Sequence, residues 1–436
     1  FVGLERLNNS GVIDLTNSVA GDVFTLDGVL NGQTGGRIGL DLDLRGAAPV
    51  ADRIVAGGFM GVNEVVLTLQ GRASLGDAGV VIAESAMAQT GQEMTVRVAG
   101  GGFIGFDLAF TDGEYRISGE LAPPAFEPTK VATGAQHQWT SGADVVSARF
   151  EQMRDGGRRG DRGDQVWAQV YGGSNDIEAK RAFDLMGESI DADLSHEVKS
   201  QGVQAGVDRA VALETSDLVF GMLAGAGKTE LRFQNGDVTE YDGVGVGAYG
   251  HWFSGPLSIG VLAKLDTFKL DYDWAEANLK TRSNGFTTGA RIDAAWRIEA
   301  GQGWYVEPQA SLSWSDTALG RMKARDGAEV VFGDTTSLVG RIGMRAGAEM
   351  TVANGLSFKP FAAVHALNEF DGDNASTLLL GDEAVGVTDR AHGAWGRAVL
   401  GASLDAPSGL GGFIQAEGDF GEVEGFTARA GIKFSW

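Results

Sequence analysis

Few residues of this chain are of types that make or break covalent bonds. The five histidines, His137, His196, His251, His365 and His392, are scattered, with no H-E-x-x-H and no pair at helical spacing, so no metal site is expected. His392 is the best base for a hydrolase, yet no serine stands opposite it and G-x-S-x-G is absent. The chain is therefore read as no enzyme, with no catalytic residue and no cofactor. "GVGAYG", Gly245 to Gly250, matches a dinucleotide-binding spacing, and "GAGKT", ending at Thr229, resembles a phosphate loop in which Met222 replaces the first glycine. Both lie in strand-like alternation and open no helix, so both read as strands. In "RRGDRGD" the triplets Arg159-Gly160-Asp161 and Arg162-Gly163-Asp164 read as glycine-rich turn chemistry, and "DGDNAS" as a solvated loop tip in preference to a Ca²⁺ loop.

The chemistry that remains is electrostatic. Glu307, Arg341, Arg345, Glu349, Arg397, Glu417, Asp419, Arg429 and Lys433 recur on alternate residues of segments whose other residues are apolar. "GWYVEPQASLSWS" sets Trp304, Val306, Pro308, Ala310, Leu312 and Trp314 against Tyr305, Glu307, Gln309, Ser311 and Ser313. "SLVGRIGMRAGAEM" and "GFTARAGIKFSW" repeat the pattern, the second setting Phe426, Ala428, Ala430, Ile432, Phe434 and Trp436 against Arg429 and Lys433. Period two is the strand signature. A charged face opposite a uniform apolar band fits a barrel with lipid outside and water inside, where facing lipid would cost each Arg or Lys about 2 to 4 kcal/mol.

Twelve such segments run from about residue 164 to Trp436, an even number that suits a bacterial membrane barrel. Short connections such as "LETSD", "SGP" and "APSG" alternate with connections of a dozen residues or more, the mark of a barrel with short turns on one side and loops on the other. Trp252, Trp296, Trp304, Trp314, Phe426 and Trp436 lie near strand ends, where interfacial aromatic girdles belong.

Composition agrees once parity is considered. The 436 residues include 67 Gly, 8 Pro and no Cys, with a net charge of −23. Lack of cysteine excludes disulfide scaffolds and thiolate metal sites, and the acidity argues against a nucleic-acid partner. No 18-residue apolar run exists, so no conventional membrane helix is expected. The first residue is Phe1, with no signal peptide, so the chain reads as a fragment or processed form.

Residues 1–121 carry short β-branched runs such as "VFTLDGVL" and "NEVVLTLQG", spaced about 15 to 20 residues apart. They suggest the end of a parallel β-helix, with a β-sandwich as the alternative. Pro123, Pro124 and Pro128 mark residues 122–140 as a linker. Residues 141–163 then form a helix and turn, with Ser141 and Asp144 as a capping box and a stop at Gly156-Gly157. Arg149, Glu151, Arg154 and Asp155 keep this helix out of lipid.

A glycine- and Asn-rich β region, a linker, one helix and a twelve-stranded acidic barrel ending in an aromatic residue together resemble a bacterial autotransporter of the type V secretion family. Residues 164–436 resemble its translocator barrel, and residues 1–121 the C-terminal part of a pertactin-like passenger. The resemblance implies an all-β fold in the outer membrane of a Gram-negative bacterium, a translocator unit that passes its N-terminal passenger through or with the barrel to the cell surface and anchors it there. It implies that the helix occupies the pore, its small residues Ala143, Ser147 and Ala148 approaching the wall beside Ser141, Asp144, Arg149, Glu151 and Arg154. It also implies that Phe426, Ala428, Ala430, Ile432, Phe434 and Trp436 are read by the barrel assembly machinery. A monomer bound to outer-membrane lipid and to its own passenger segment is expected. Some members cut themselves at an Asn-Asn pair in the pore; no Asn occurs between Asn63 and Asn175, so that cleavage is not expected. The alternatives are a passive outer-membrane channel with an N-terminal plug domain and a soluble adhesin.

Overall fold

The computed structural model describes residues 1–46, 48–76, 79–155, 164–185, 188–324, 327–381 and 383–436. The RGD triplets and the Gly156-Gly157 stop lie outside these residues, except for Asp164.

The N-terminal region is a β-helix of two facing parallel sheets. One contains Arg6–Asn9, Val23–Gly32, Arg53–Gly61 and Val80–Ser85, and the other Val12–Asp14, Arg37–Asp43, Asn63–Gln70 and Met94–Val98. Each rung contributes one strand to each sheet, so the repeat is longer than the spacing of single apolar runs: Arg6 lies opposite Val29, and Val65 opposite Val96. Leu30, Ile38, Leu40, Ile54, Leu67 and Ile82 fill the space between the sheets and are fully buried. Parallel pairing excludes the sandwich. An antiparallel hairpin, Ile104–Thr111 with Glu114–Leu121, closes the last rung by pairing against Val80–Ser85.

The C-terminal region is a closed barrel of twelve strands: Gln165–Ile177, His196–Ala212, Asp217–Phe233, Val238–Ser254, Leu257–Trp274, Leu279–Trp296, Trp304–Leu319, Glu329–Ala348, Ser357–Asp371, Ala394–Asp405, Leu410–Gly421 and Val423–Ser435. The first and last pair along their whole length, from Gln165 opposite Ser435 to Ile177 opposite Val423. Parity divides each strand as the sequence implies. Val244, Ile342, Leu400, Ile414 and Ile432 are exposed on the outside, whereas Glu307, Arg345, Glu417 and Arg429 are buried inside. At the short-turn end, Trp296, Trp304 and Trp436 are exposed around the rim. From Trp252 up to Asp242, the first charged outward residue on that strand, is about 25 Å for a tilted strand, the height of a lipid-facing band.

At the opposite end several expected loops are strand. Asp217–Phe233 and Val238–Ser254 are joined by a tight turn, as are Leu257–Trp274 and Leu279–Trp296. The hairpins rise beyond the barrel because they have something to pack against. Phe233, Tyr272, Trp274, Leu378 and Leu380 share one buried core with Phe103, Leu121 and Phe126, so the last β-helix rung sits on the barrel mouth. Backbone bonds cross this junction, as from Gly102 N–H to the Glu276 carbonyl at 2.7 Å. "DGDNAS" is likewise no solvated tip: Asn374 and Ser376 point inward from the strand Asp373–Leu380 and are buried.

The linker is the main departure. Pro123–Ala125 is a single 3₁₀ turn, and a 28-residue α-helix runs from Pro128 to Asp155. Pro128 starts the helix, because proline at the first turn loses no hydrogen bond and has its φ preset. The helix therefore begins thirteen residues before position 141, the start expected from sequence. Ser141 is no cap; it lies mid-helix with its hydroxyl 3.3 Å from that of Ser200. The helix is about 42 Å long, enough to run the height of the barrel. Among the described residues no helix is long and apolar enough to cross a membrane.

Candidate functional site

The helix lies inside the barrel. Its sequence is polar on every side, yet only His137, Thr140, Glu151 and Arg154 escape full burial. Such a helix needs a partner for each charge, since an uncompensated buried ion costs several kcal/mol. Three clusters along its length supply them.

Near the middle, Asp144 meets three arginines from three strands: Arg291 at 2.6 Å, Arg397 at 2.9 Å and Arg429 at 3.5 Å. Glu417 and Asp419 hold those arginines from behind, Arg429–Glu417 at 2.6 Å and Arg397–Asp419 at 2.7 Å, while Arg429 also donates to the Ser141 carbonyl. Ser147 donates to Asp293, which pairs with Arg341 at 3.0 Å. One turn lower, Arg149 pairs with Asp208 at 2.9 Å and donates to Gln165. Asp208 also accepts from Tyr249, whose hydroxyl accepts from the Trp167 indole at 2.7 Å. At the foot, Asp155 meets Arg345 and Arg297, both at 2.6 Å, and its carbonyl accepts from Lys359. Arg154 joins through Glu307 at 2.9 Å, and Glu151 lies 3.7 Å from Arg345.

Shape complements charge. The Phe150 ring lies against Gly260 and the Trp139 ring against Gly289, each so close that a Cβ on the wall residue would come within 2.5 Å. Conversely, Gly134 of the helix receives the ring of Tyr241, whose hydroxyl donates to the Val131 carbonyl at 2.7 Å. Phe150 and Trp139 are eleven residues apart, three turns, and so project from one face. Ala143 and Ala148 are buried against the wall as small residues must be, but the glycines make the closest approaches.

Among the inward charges read from sequence, Lys433 pairs with Asp405 at 3.0 Å and does not reach the helix. Glu349 is not in the lumen: its side chain is 57% exposed at the short-turn rim, 3.4 Å from Lys359. Strand alternation breaks just before it, where Gly347 and Ala348 are both buried. Phe426, Ala428, Ile432, Phe434 and Trp436 face outward along the last strand, with Ala430 half-buried among them. Sequence reasoning missed Lys130, Gln136 and Trp139 in the upper helix, and Asp208, Arg291, Asp293, Arg297 and Lys359 on the wall. Parity places those wall residues inward, but nothing along the chain says which one the helix meets. The glycine motifs fall inside the strands Asp217–Phe233 and Val238–Ser254.

The mouth is sealed differently. Lys130 is fully buried and pairs with Asp389 at 2.5 Å, and Asp389 also takes Arg181 at 2.9 Å. Phe126 stacks on Phe183 of the hairpin Lys180–Leu185/Glu188–Asp193, with ring centroids 4.7 Å apart. Above it, Glu127 accepts from Asn235 at 2.8 Å. Burial, and then the neighbouring Asp237 carboxylate, push the Glu127 carboxyl well above the usual range.

A twelve-stranded barrel with an apolar outside and a helix ion-paired through its lumen is a membrane barrel of the kind that carries its own chain in the pore. Residues 166–417 match the family described as autotransporter beta-domain, and this chain belongs to that family. It is 27% identical over 312 residues to the pertactin autotransporter of Bordetella bronchiseptica, covering 68% of this chain and 31% of the relative. It is 24% identical over 248 residues to the BrkA autotransporter of Bordetella pertussis, covering 54% of this chain and 24% of the relative. The chain thus spans about a third or less of the length of these curated relatives. The crystal structure of the BrkA beta domain superposes with a TM-score of 0.50 at 19% identity, covering 63% of this chain and all of that one. The barrel is accordingly the translocator beta-domain of an autotransporter, placed in the outer membrane.

Proposed function

We propose that the chain delivers its own N-terminal segment to the cell surface, through or together with the barrel, and holds it there as a monomer. One observation carries the reading: the polypeptide leaves the β-helix above the mouth, descends the pore as Pro128–Asp155, and enters the wall at its lower end, where the Asp164 carbonyl accepts from Trp436 N–H. The helix is therefore what remains in the pore when the segment above it is outside. The outward row Phe426 to Trp436 supports recognition of the last strand by the barrel assembly machinery, since alternate apolar residues ending in an aromatic form one continuous ridge. No catalysis is assigned to the chain.

Protease treatment of intact cells tests this. Residues 1–121 should be digested from outside while the barrel survives. Digestion only after the outer membrane is broken would overturn surface delivery and favour a channel with a periplasmic plug. Conductance gives a second readout: the Asp144→Leu and Arg149→Leu pair should raise single-channel conductance severalfold by freeing the helix, with the barrel still closed.

A further inference from the structure

The lipid-facing wall is not uniform. On its outer half a trough of about 1250 Å³ crosses seven strands, from Val170 to Ala318. Its register is unusually regular. Gly202, Gly227, Gly243 and Gly285 lie in one row across the strands, broken only by Phe268. These inward positions lack side chains because Tyr171, Gln138 and Phe268 lie flat against them from within. The outward row just below is Val203, Ala226, Val244, Thr267 and Phe286, an apolar floor. The outward row just above is Gln201, Lys228, Asp242, Lys269 and Asn284, every residue a hydrogen-bonding group.

We propose that this trough is a binding site for a phosphorylated, multiply acylated glycolipid of the outer leaflet, with acyl chains on the apolar floor and phosphate on Lys228 and Lys269. Three features select that occupant. Depth comes first: the polar row is the first above the lipid-facing band, where head groups of the outer leaflet lie, and lysines there hold their stems along apolar surface with the ammonium upward. Charge is second: two lysines against one acid line the site on a chain whose net charge is −23. Lys228 is 2.7 Å from Glu240, whereas Lys269 is exposed with no ion pair among the described residues, free to take a phosphate. Width is third: seven strands span roughly 29 Å, room for more than two acyl chains side by side.

The proposal rests on the outer-membrane placement but not on surface delivery. Its test uses the purified full chain in detergent, with folding monitored by heat-modifiable gel mobility. Native mass spectrometry follows retention of lipid A, phosphatidylglycerol and phosphatidylethanolamine at equal concentration. Lipid A should be retained at least tenfold better than phosphatidylglycerol. The Lys228→Gln/Lys269→Gln double variant should lose that preference, as should Ala226→Trp, which fills the floor. Lys280→Gln, outside the trough and paired with Asp273, should retain it. Equal retention of lipid A by wild type and the double variant, or a preference for phosphatidylglycerol, overturns the site. A folded barrel that ignores lipid A also overturns it, while leaving the protease result on cells untouched.

Discussion

The β-helix and the barrel are built from the same short-range material, strands rich in glycine and β-branched residues, but their polarity is inverted. In the β-helix Leu40 and Ile54 point inward, and Arg37, Glu64 and Arg97 form an ion-pair ladder on the outside. In the barrel Ile342 and Leu400 point outward, and Arg345 pairs with Glu307 inside, neither side chain exposed at all. The difference teaches that exposure alone does not say what a residue is worth. Solvent decides the sign: water surrounds one region and lipid the other.

That inversion can be broken experimentally. The largest effect is expected from Asp144→Leu, which takes from Arg291, Arg397 and Arg429 the one carboxylate they share on the helix; removing one partner of a buried ion pair costs roughly 3 to 5 kcal/mol. Urea titration should show helix release, seen as proteolysis near residue 144, at markedly lower denaturant than in wild type. Next comes a matched pair. Ile342 and Val12 are each 67% exposed. Ile342→Arg puts charge into lipid at about 2 to 4 kcal/mol and should cut the heat-modifiable fraction sharply, whereas Val12→Arg should stay within about 0.5 kcal/mol. Equal effects would mean the outer wall is not in lipid.

A smaller effect concerns the junction between the regions. Because the folded Glu127 carboxyl titrates above its unfolded value, the folded state holds the extra proton, and its stability falls as pH rises from the ordinary carboxylate range toward the raised folded value. Thermal melting of the mouth should drop as pH rises above the ordinary carboxylate range, and Glu127→Gln should flatten the dependence. Smallest is Glu64→Gln on the exposed ladder, below about 1 kcal/mol and fading in salt. A loss comparable to that of Asp144→Leu would show the β-helix exterior to be shielded from water.

Much of the barrel was legible because lipid outside and charge inside impose period two on every strand. Trp304 to Trp314 display it without any knowledge of their neighbours. The upper helix was not legible: Thr129, Val131, Thr133 and Gly134 are poor helix formers, and three prolines precede them. What makes them helical is enclosure, since a chain inside a narrow lumen must satisfy its backbone groups internally. The tall outer hairpins were missed for a related reason. Trp274 and Phe233 need an apolar roof, and that roof is the β-helix itself, more than a hundred residues away in sequence. Glu349 was misplaced because parity was carried one residue too far, past the irregularity at Ala348.

Coiling of the pore segment also fixes a length. Twenty-eight residues that would reach about 95 Å as extended chain occupy about 42 Å as the helix Pro128–Asp155. Roughly 50 Å of tether is taken up inside the wall, leaving only the 3₁₀ turn at Pro123–Ala125 between helix and β-helix. The β-helix is thus held on a short leash, seated against the rim, and any force pulling on it is borne by the helix and its ion pairs before it reaches the barrel seam.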